Sequence, residues 1–142
     1  MTRPLRQLLR DRAGNAALEF GILGPAMLAL LLGVFQVGIG MQAHNAVRSV
    51  AMDTARYATI QYQQNKTLDN EQIKDWTRAT ATGASYLLDS DRLTVNCITD
   101  VSPIAGTSMR TLTITYDVPT LLGVIGVPDY QITYTREVFV PA

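Results

Sequence analysis

Few residues of this chain could do chemistry, and one of them, Glu19, stands in an unexpected place. It borders the stretch Phe20 to Val47, which holds no Lys, Arg, Asp or Glu and whose polar side chains are Gln36, Gln42, His44 and Asn45. Taking a charge to the centre of a bilayer costs about 3 kcal/mol on insertion scales, so a carboxylate here calls for a counter-charge or a boundary position. The first turn of a helix is one such position, because the macrodipole favours an anion there by about 0.3 to 1 kcal/mol.

Catalytic and metal-binding patterns do not assemble elsewhere. The single histidine, His44, has no Cys or second His near it in sequence and no His-Glu-x-x-His pattern. A Gly-x-Ser-x-Gly elbow, a Gly-x-x-x-x-Gly-Lys phosphate loop and a Cys-x-x-Cys pair are all lacking. Asp89, Asp91 and Asp100 match places one, three and twelve of a calcium loop. Leu93 at the fifth place, Thr94 where Gly is required and Asp in place of Glu at the twelfth argue against a metal. Asn65-Lys66-Thr67 is a glycosylation sequon by pattern alone. The lone Cys97 cannot close an internal disulfide and reads as a small buried strand residue rather than a reactive thiol. The expectation is a protein that is not an enzyme, with no metal, cofactor or small-molecule substrate.

The elements around Glu19 point instead to a membrane. The chain of 142 residues has zero formal net charge, yet its first fourteen residues carry Arg3, Arg6, Arg10 and Arg12 against Asp11. A basic leader before a neutral apolar run keeps an N-terminus cytoplasmic while the following chain is exported. Those arginines lack interleaved aromatics and the remainder is mildly acidic, which argues against nucleic-acid binding. Residues 20–43 would cover about 36 Å as a helix, against a hydrocarbon core of roughly 30 Å. A signal peptide has an apolar region of about 7 to 15 residues and a small-residue cleavage site, so the longer run here reads as a retained single pass.

The helical pattern continues beyond the run. Small or apolar residues fall at 43, 47, 51, 55 and 58, with Val50 and Tyr62 alongside, which predicts one helix from about Ala16 to Gln64. It would reach about 70 Å, more than a domain of roughly 95 residues can cover. The pairs Ala17 and Gly21, Ala29 and Gly33, and Ala51 and Ala55 put small side chains one turn apart, where another backbone can come close. Pro25 and the nearby glycines are candidate bends.

The rest predicts an α+β globular part. Asn65 to Asn70 reads as a connection, and Asp69 with Gln72 as a capping box opening a second helix to about Leu88. Ile73, Trp76, Thr80, Gly83, Ala84 and Leu87 would line its inner face, with Trp76 anchored against the first helix. After Asp89-Ser90-Asp91 the period becomes two. Leu93, Val95 and Cys97; Leu112, Ile114, Tyr116 and Val118; and Tyr130, Ile132, Tyr134, Val138 and Val140 mark three strands of a small antiparallel sheet that the helices would cover. "DVSPIAGTSMR" reads as the first link, a turn-rich loop. "PTLLGVIGVP", residues 119–128, is too apolar for a solvated loop and would fill the core, touch the membrane surface or meet another subunit.

Gly14, then Asn15-Ala16-Ala17-Leu18, then Glu19 and Phe20, with a basic leader before and a hydrophobic helix after, resembles the processing motif of type IV pilin-like precursors. "RDRAGNAALEFGILGPAMLALLLGVFQVG" and "AVRSVAMDTARYA" resemble the N-terminal domain of TadE-like proteins of the Tad (tight adherence) pilus system, over about residues 10–58. The resemblance implies a leader, residues 1–14, removed after Gly14 by a prepilin peptidase, a helix over 15–64 and a globular part over 65–142. It implies that Glu19, fifth in the mature chain, pairs with the amine of Asn15 on a neighbouring subunit. Phe20 replaces the Tyr more usual in the major pilins of that system, and the large folded part fits a minor pseudopilin. Implied partners are the peptidase, other minor pilins and assembly machinery of the Tad system, and the bacterial inner membrane, with the globular part periplasmic or carried into an extracellular pilus. The role expected is initiating or capping pilus assembly for adhesion to surfaces and biofilm. The rival readings are an uncleaved membrane-anchored binding module of the cell envelope and a secreted domain released near Met41.

Overall fold

In a computed structural model of the chain, residues 13–141 are described; the arginines of the leader lie outside them. Helix α1 runs over Ala13–Gln63 and includes Pro25. By contact density the chain divides between Val37 and Gly38 into two units.

In the first unit α1 is bare. Phe20 is 76% and Leu30 71% exposed, and Gly24 is half-buried, with the Phe20 ring lying over it. Among the described residues, one helix is long and apolar enough to cross a membrane, and its most apolar window, of mean hydropathy 2.1, has no buried residue. Such an exposed apolar surface is costly in water and suits lipid or a packed partner.

In the second unit the rest of α1 joins a second helix and a sheet. Helix α2 spans Asn70–Thr82 and opens with the expected capping box: the Asp69 carboxylate accepts from Gln72 N at 2.7 Å, and Asp69 N donates to the Gln72 side chain at 3.1 Å. It stops one turn and more before Leu88, because Gly83 leaves the helix in an extended conformation and Leu87 adopts a left-handed φ of 53°. Its buried stripe is Ile73, Thr77 and Ala81, one turn apart each time, whereas Ala84 and Leu87 of the expected face are exposed. Trp76 is half-buried and stacks on Tyr57 of α1 with ring centroids 4.3 Å apart. Between the helices, Thr54 and Thr77 are both fully buried with their hydroxyl oxygens 3.1 Å apart.

Strands β1 (Leu93–Asp100), β2 (Thr107–Val118) and β3 (Tyr130–Pro141) form an antiparallel sheet in that order. β2 begins earlier than the alternation suggested, so the first link shrinks to residues 101–106 and Asp100 pairs with Met109. The register puts Val95 beside Ile114 and Ile114 beside Tyr134, and Cys97 beside Leu112, so the apolar positions of the three strands share one face. That face buries Leu112, Ile114 and Val118 in one cluster with Val47, Val50 and Ala51 of α1. The opposite face carries rungs of threonine, Thr113 against Thr135 and Thr115 against Thr133. The architecture is therefore α+β, with a candidate membrane helix leading a two-helix, three-strand unit.

Candidate assembly and membrane interface

Gly14, Asn15, Ala17, Glu19, Phe20 and Gly21 all lie on α1 and all are exposed. A Cβ added at Gly14, Gly21 or Gly33 would meet no atom within 4 Å, so nothing within the unit uses the small size of these positions. Ala29 is likewise exposed, and Gly33 half-buried. Among the described residues Glu19 has no ion-pair partner. A carboxylate on an apolar helix with small residues around it can accept one ammonium or several N–H donors from a molecule packed alongside.

Ala51 and Ala55 differ from the first two small pairs. Ala51 is fully buried in the core, and Ala55 packs beside Ala58 and Val138, so both bring α1 close to its own globular unit.

The remaining candidate groups are engaged in local structure. Asp89 caps the 3-10 turn Ser90–Arg92 by accepting from Asp91 N at 3.0 Å, and Asp100 accepts the Thr111 hydroxyl at 2.6 Å. The three aspartates of the calcium-like spacing thus do not converge, and among the described residues no group of three or more His, Cys, Asp or Glu could hold a metal. Cys97 is buried, and burial pushes its thiol above the ordinary range, partly opposed by the positive charges of Arg110 and Lys74. Tyr86 donates to Asp53 at 2.6 Å, and that carboxylate raises the phenol above its usual range. A cleft of about 120 Å³ beside Ile39, Ala46, Tyr86 and Tyr116 is well short of the roughly 300 Å³ at which small-molecule sites begin.

Two ionic features escaped the sequence reading. Arg110 shares a face with Leu112 and Ile114, where a charge interrupts the apolar row. It is held by Asn70 Oδ1 at 2.7 Å and the Tyr62 hydroxyl at 3.0 Å, with its guanidinium 5.9 Å from the Tyr62 ring centroid, while its Nε is buried without a hydrogen-bond partner. The interruption of the alternation was the available signal, but the partners lie 40 and 48 residues away. Arg92 forms an ion pair with Asp129 at 2.5 Å, and Asp129 also accepts Thr120 N at 3.0 Å. This pair ties the base of the 119–129 loop to the turn before β1.

Residues 14–56 match the family model described as TadE-like protein. The match starts at the glycine of the Gly-x-x-x-x-Glu pattern, covers the bare apolar run, and ends within the part of α1 that packs on the sheet. Neither a curated protein nor a solved structure gives a significant match. Residues 14–56 are thus similar to TadE-like proteins, and they include the apolar run of the candidate membrane helix.

Proposed function

Starting from a chain that is TadE-like over residues 14–56, we propose that it is a minor pseudopilin of a Tad-type pilus. It is cut after Gly14 by prepilin peptidase and anchored in the bacterial inner membrane by a single pass. Its globular unit faces the periplasm, and it joins other minor pilins to initiate or cap the filament that serves surface adherence. Its work is assembly rather than catalysis. The observation that carries this reading is the coincidence, at one place, of the Gly14-to-Glu19 spacing, the start of the family match and a helix whose apolar side chains have no cover among the described residues. In lipid, Glu19 and the Asn15 amine of a neighbour would each be costly alone and cheaper together, and satisfying both charges fixes the axial register between subunits. The buried alternative, a retained leader, leaves Glu19 without that partner.

The test is the N-terminus of the protein recovered from cells that express the peptidase. Intact mass spectrometry is expected to give a chain starting at Asn15, and a chain still bearing residues 1–14 in assembled pili refutes the reading in favour of an uncleaved anchored module. Glu19→Ala is expected to be cut as wild type and to recover fewer of the other minor pilins on co-purification. Undiminished recovery would remove the pairing role.

A further inference from the structure

The core closes unevenly across the sheet. On the inner face Val95 and Cys97 of β1 are buried, and Leu112 and Ile114 of β2 more completely still, whereas Ile132 and Tyr134 of β3 are half-buried and Arg136 is exposed. Helix α1 reaches β3 near its two ends, where the Tyr130 hydroxyl lies against Gly40 and Ala58 packs on Val138. Between those points the inner face of β3 stays half open.

The outer edge of β3 is open as well. β3 pairs with β2 on one side, and among the described residues no backbone hydrogen bond joins it to any other element. An edge strand shows a row of unmatched N–H and C=O groups, which folds commonly blunt by brevity, lysine, proline or a bulge. Here the strand is 12 residues long, holds no lysine, has no proline before Pro141, and pairs with β2 without a break from Tyr130 to Pro141. The opposite edge strand, β1, has 8 residues, with Val95 and Cys97 already covered.

We propose that the edge of β3 receives a fourth strand donated by a different polypeptide. The occupant follows from the chemistry of the edge. Main-chain donors and acceptors that alternate at strand spacing are met together by the main chain of a second extended segment, the mode of β-augmentation. Its side chains must suit both faces: apolar at every second position, to cover Ile132 and Tyr134, and polar between, to extend the rungs that end in Thr133 and Thr135. The donor is another subunit of the pilus assembly, which rests on the function proposed above, since a minor subunit has different polypeptides for neighbours. The pattern of the donated strand then selects the partner, separately from the pairing at Glu19.

Amide hydrogen exchange at single-residue resolution tests this on the full chain in detergent, alone and in the complex recovered with the other minor pilins. Every second amide of residues 130–140 is expected to exchange about tenfold more slowly, or slower still, in the complex than alone, while the amides of β1 keep their rates. A complex in which the β3 amides exchange as in the isolated protein overturns the strand addition and leaves the assembly role standing. Equal slowing along β1 and β3 also overturns it, because that reports general burial. Failure to recover any complex from cells that form pili overturns the assembly role and the strand addition together. Slow exchange of the same amides in the isolated protein that fades on dilution overturns the proposal and assigns the edge to a second copy of the chain. Slow exchange that persists at every dilution overturns it by showing the edge covered by its own chain or by detergent.

Discussion

The contact between Thr54 and Thr77 allows a sharp prediction about how α1 and α2 are joined. Each hydroxyl oxygen is close to a carbonyl one turn back, Thr54 to Val50 O at 2.8 Å and Thr77 to Ile73 O at 2.6 Å, and the two hydroxyls are 3.1 Å apart. Three contacts share two protons, so in any arrangement one of them is weak or bifurcated. Thr77→Val preserves shape and branching and removes one hydroxyl. Thr54 retains the Val50 carbonyl as acceptor, no buried donor is stranded, and the expected loss is about 1 kcal/mol, the net worth of one hydrogen bond. Thr54→Val is expected to cost the same for the same reason. With both replaced, two methyl groups meet where two hydroxyls did, and the double variant is expected to lie close to a single one, with a coupling of about 0.5 to 1 kcal/mol. Urea unfolding of the full chain in detergent, followed by Trp76 emission, measures this beside the interface itself. A single variant that loses about 3 kcal/mol or more, the cost of an orphaned buried group, refutes the shared-proton argument. So does a double variant that loses the sum of the two.

Other expectations follow from the same unit. Ile114→Ala, at a fully buried position between Val95 and Tyr134, is expected to destabilise by about 2 to 5 kcal/mol in the same unfolding assay. The Arg92 guanidinium and the Thr120 N–H hold the Asp129 carboxyl below its usual range. A carboxyl whose folded pKa is depressed contributes stability above its unfolded pKa and loses it as pH falls through the folded one. The stability gap between wild type and Asp129→Asn is therefore expected at neutral pH and to close below the ordinary carboxylate range, as read from denaturation midpoints across pH. Cys97, buried and pushed toward the thiol, is expected to resist iodoacetamide in the folded protein at mildly alkaline pH and to react once urea unfolds it, as scored by mass.

Much of this architecture could be read from the residues, for local reasons. The long first helix follows from an uncharged apolar run and the small residues that repeat after it, and the start of α2 from the Asp69–Gln72 box. The end of α2 was less legible, because Ala84, Leu87 and Leu88 carry on like helix formers and Gly83 gives no notice that the chain will turn extended there. Thr77 was passed over because the expected face was drawn through Trp76, Thr80 and Gly83, whereas the buried stripe runs through Ile73, Thr77 and Ala81; the Thr77 hydroxyl finds a carbonyl one turn back. Arg110 was hidden for a different reason: a charge on a core face makes sense when Tyr62 and Asn70 are brought to it by the fold, and sequence distance conceals that. At the interface, Gly14 to Glu19 was visible as a spacing, whereas the approach of Tyr130 to Gly40 and the cleft that Pro119 and Leu87 share with Ile39 depend on segments far apart in sequence.

The grip of Arg110 bears on whether copies of this chain could exchange elements. Crowded copies joined by a short connector, here residues 64–69, are prone to trade equivalent elements, each giving its second helix to the next. Arg110 binds the last turn of α1 through Tyr62 and the first residue of α2 through Asn70, so it clasps both sides of the connector at once. Opening the connector for an exchange would strip a guanidinium of its acceptors inside an apolar face. The clasp thereby sets a barrier in the way of exchanging α2 between copies.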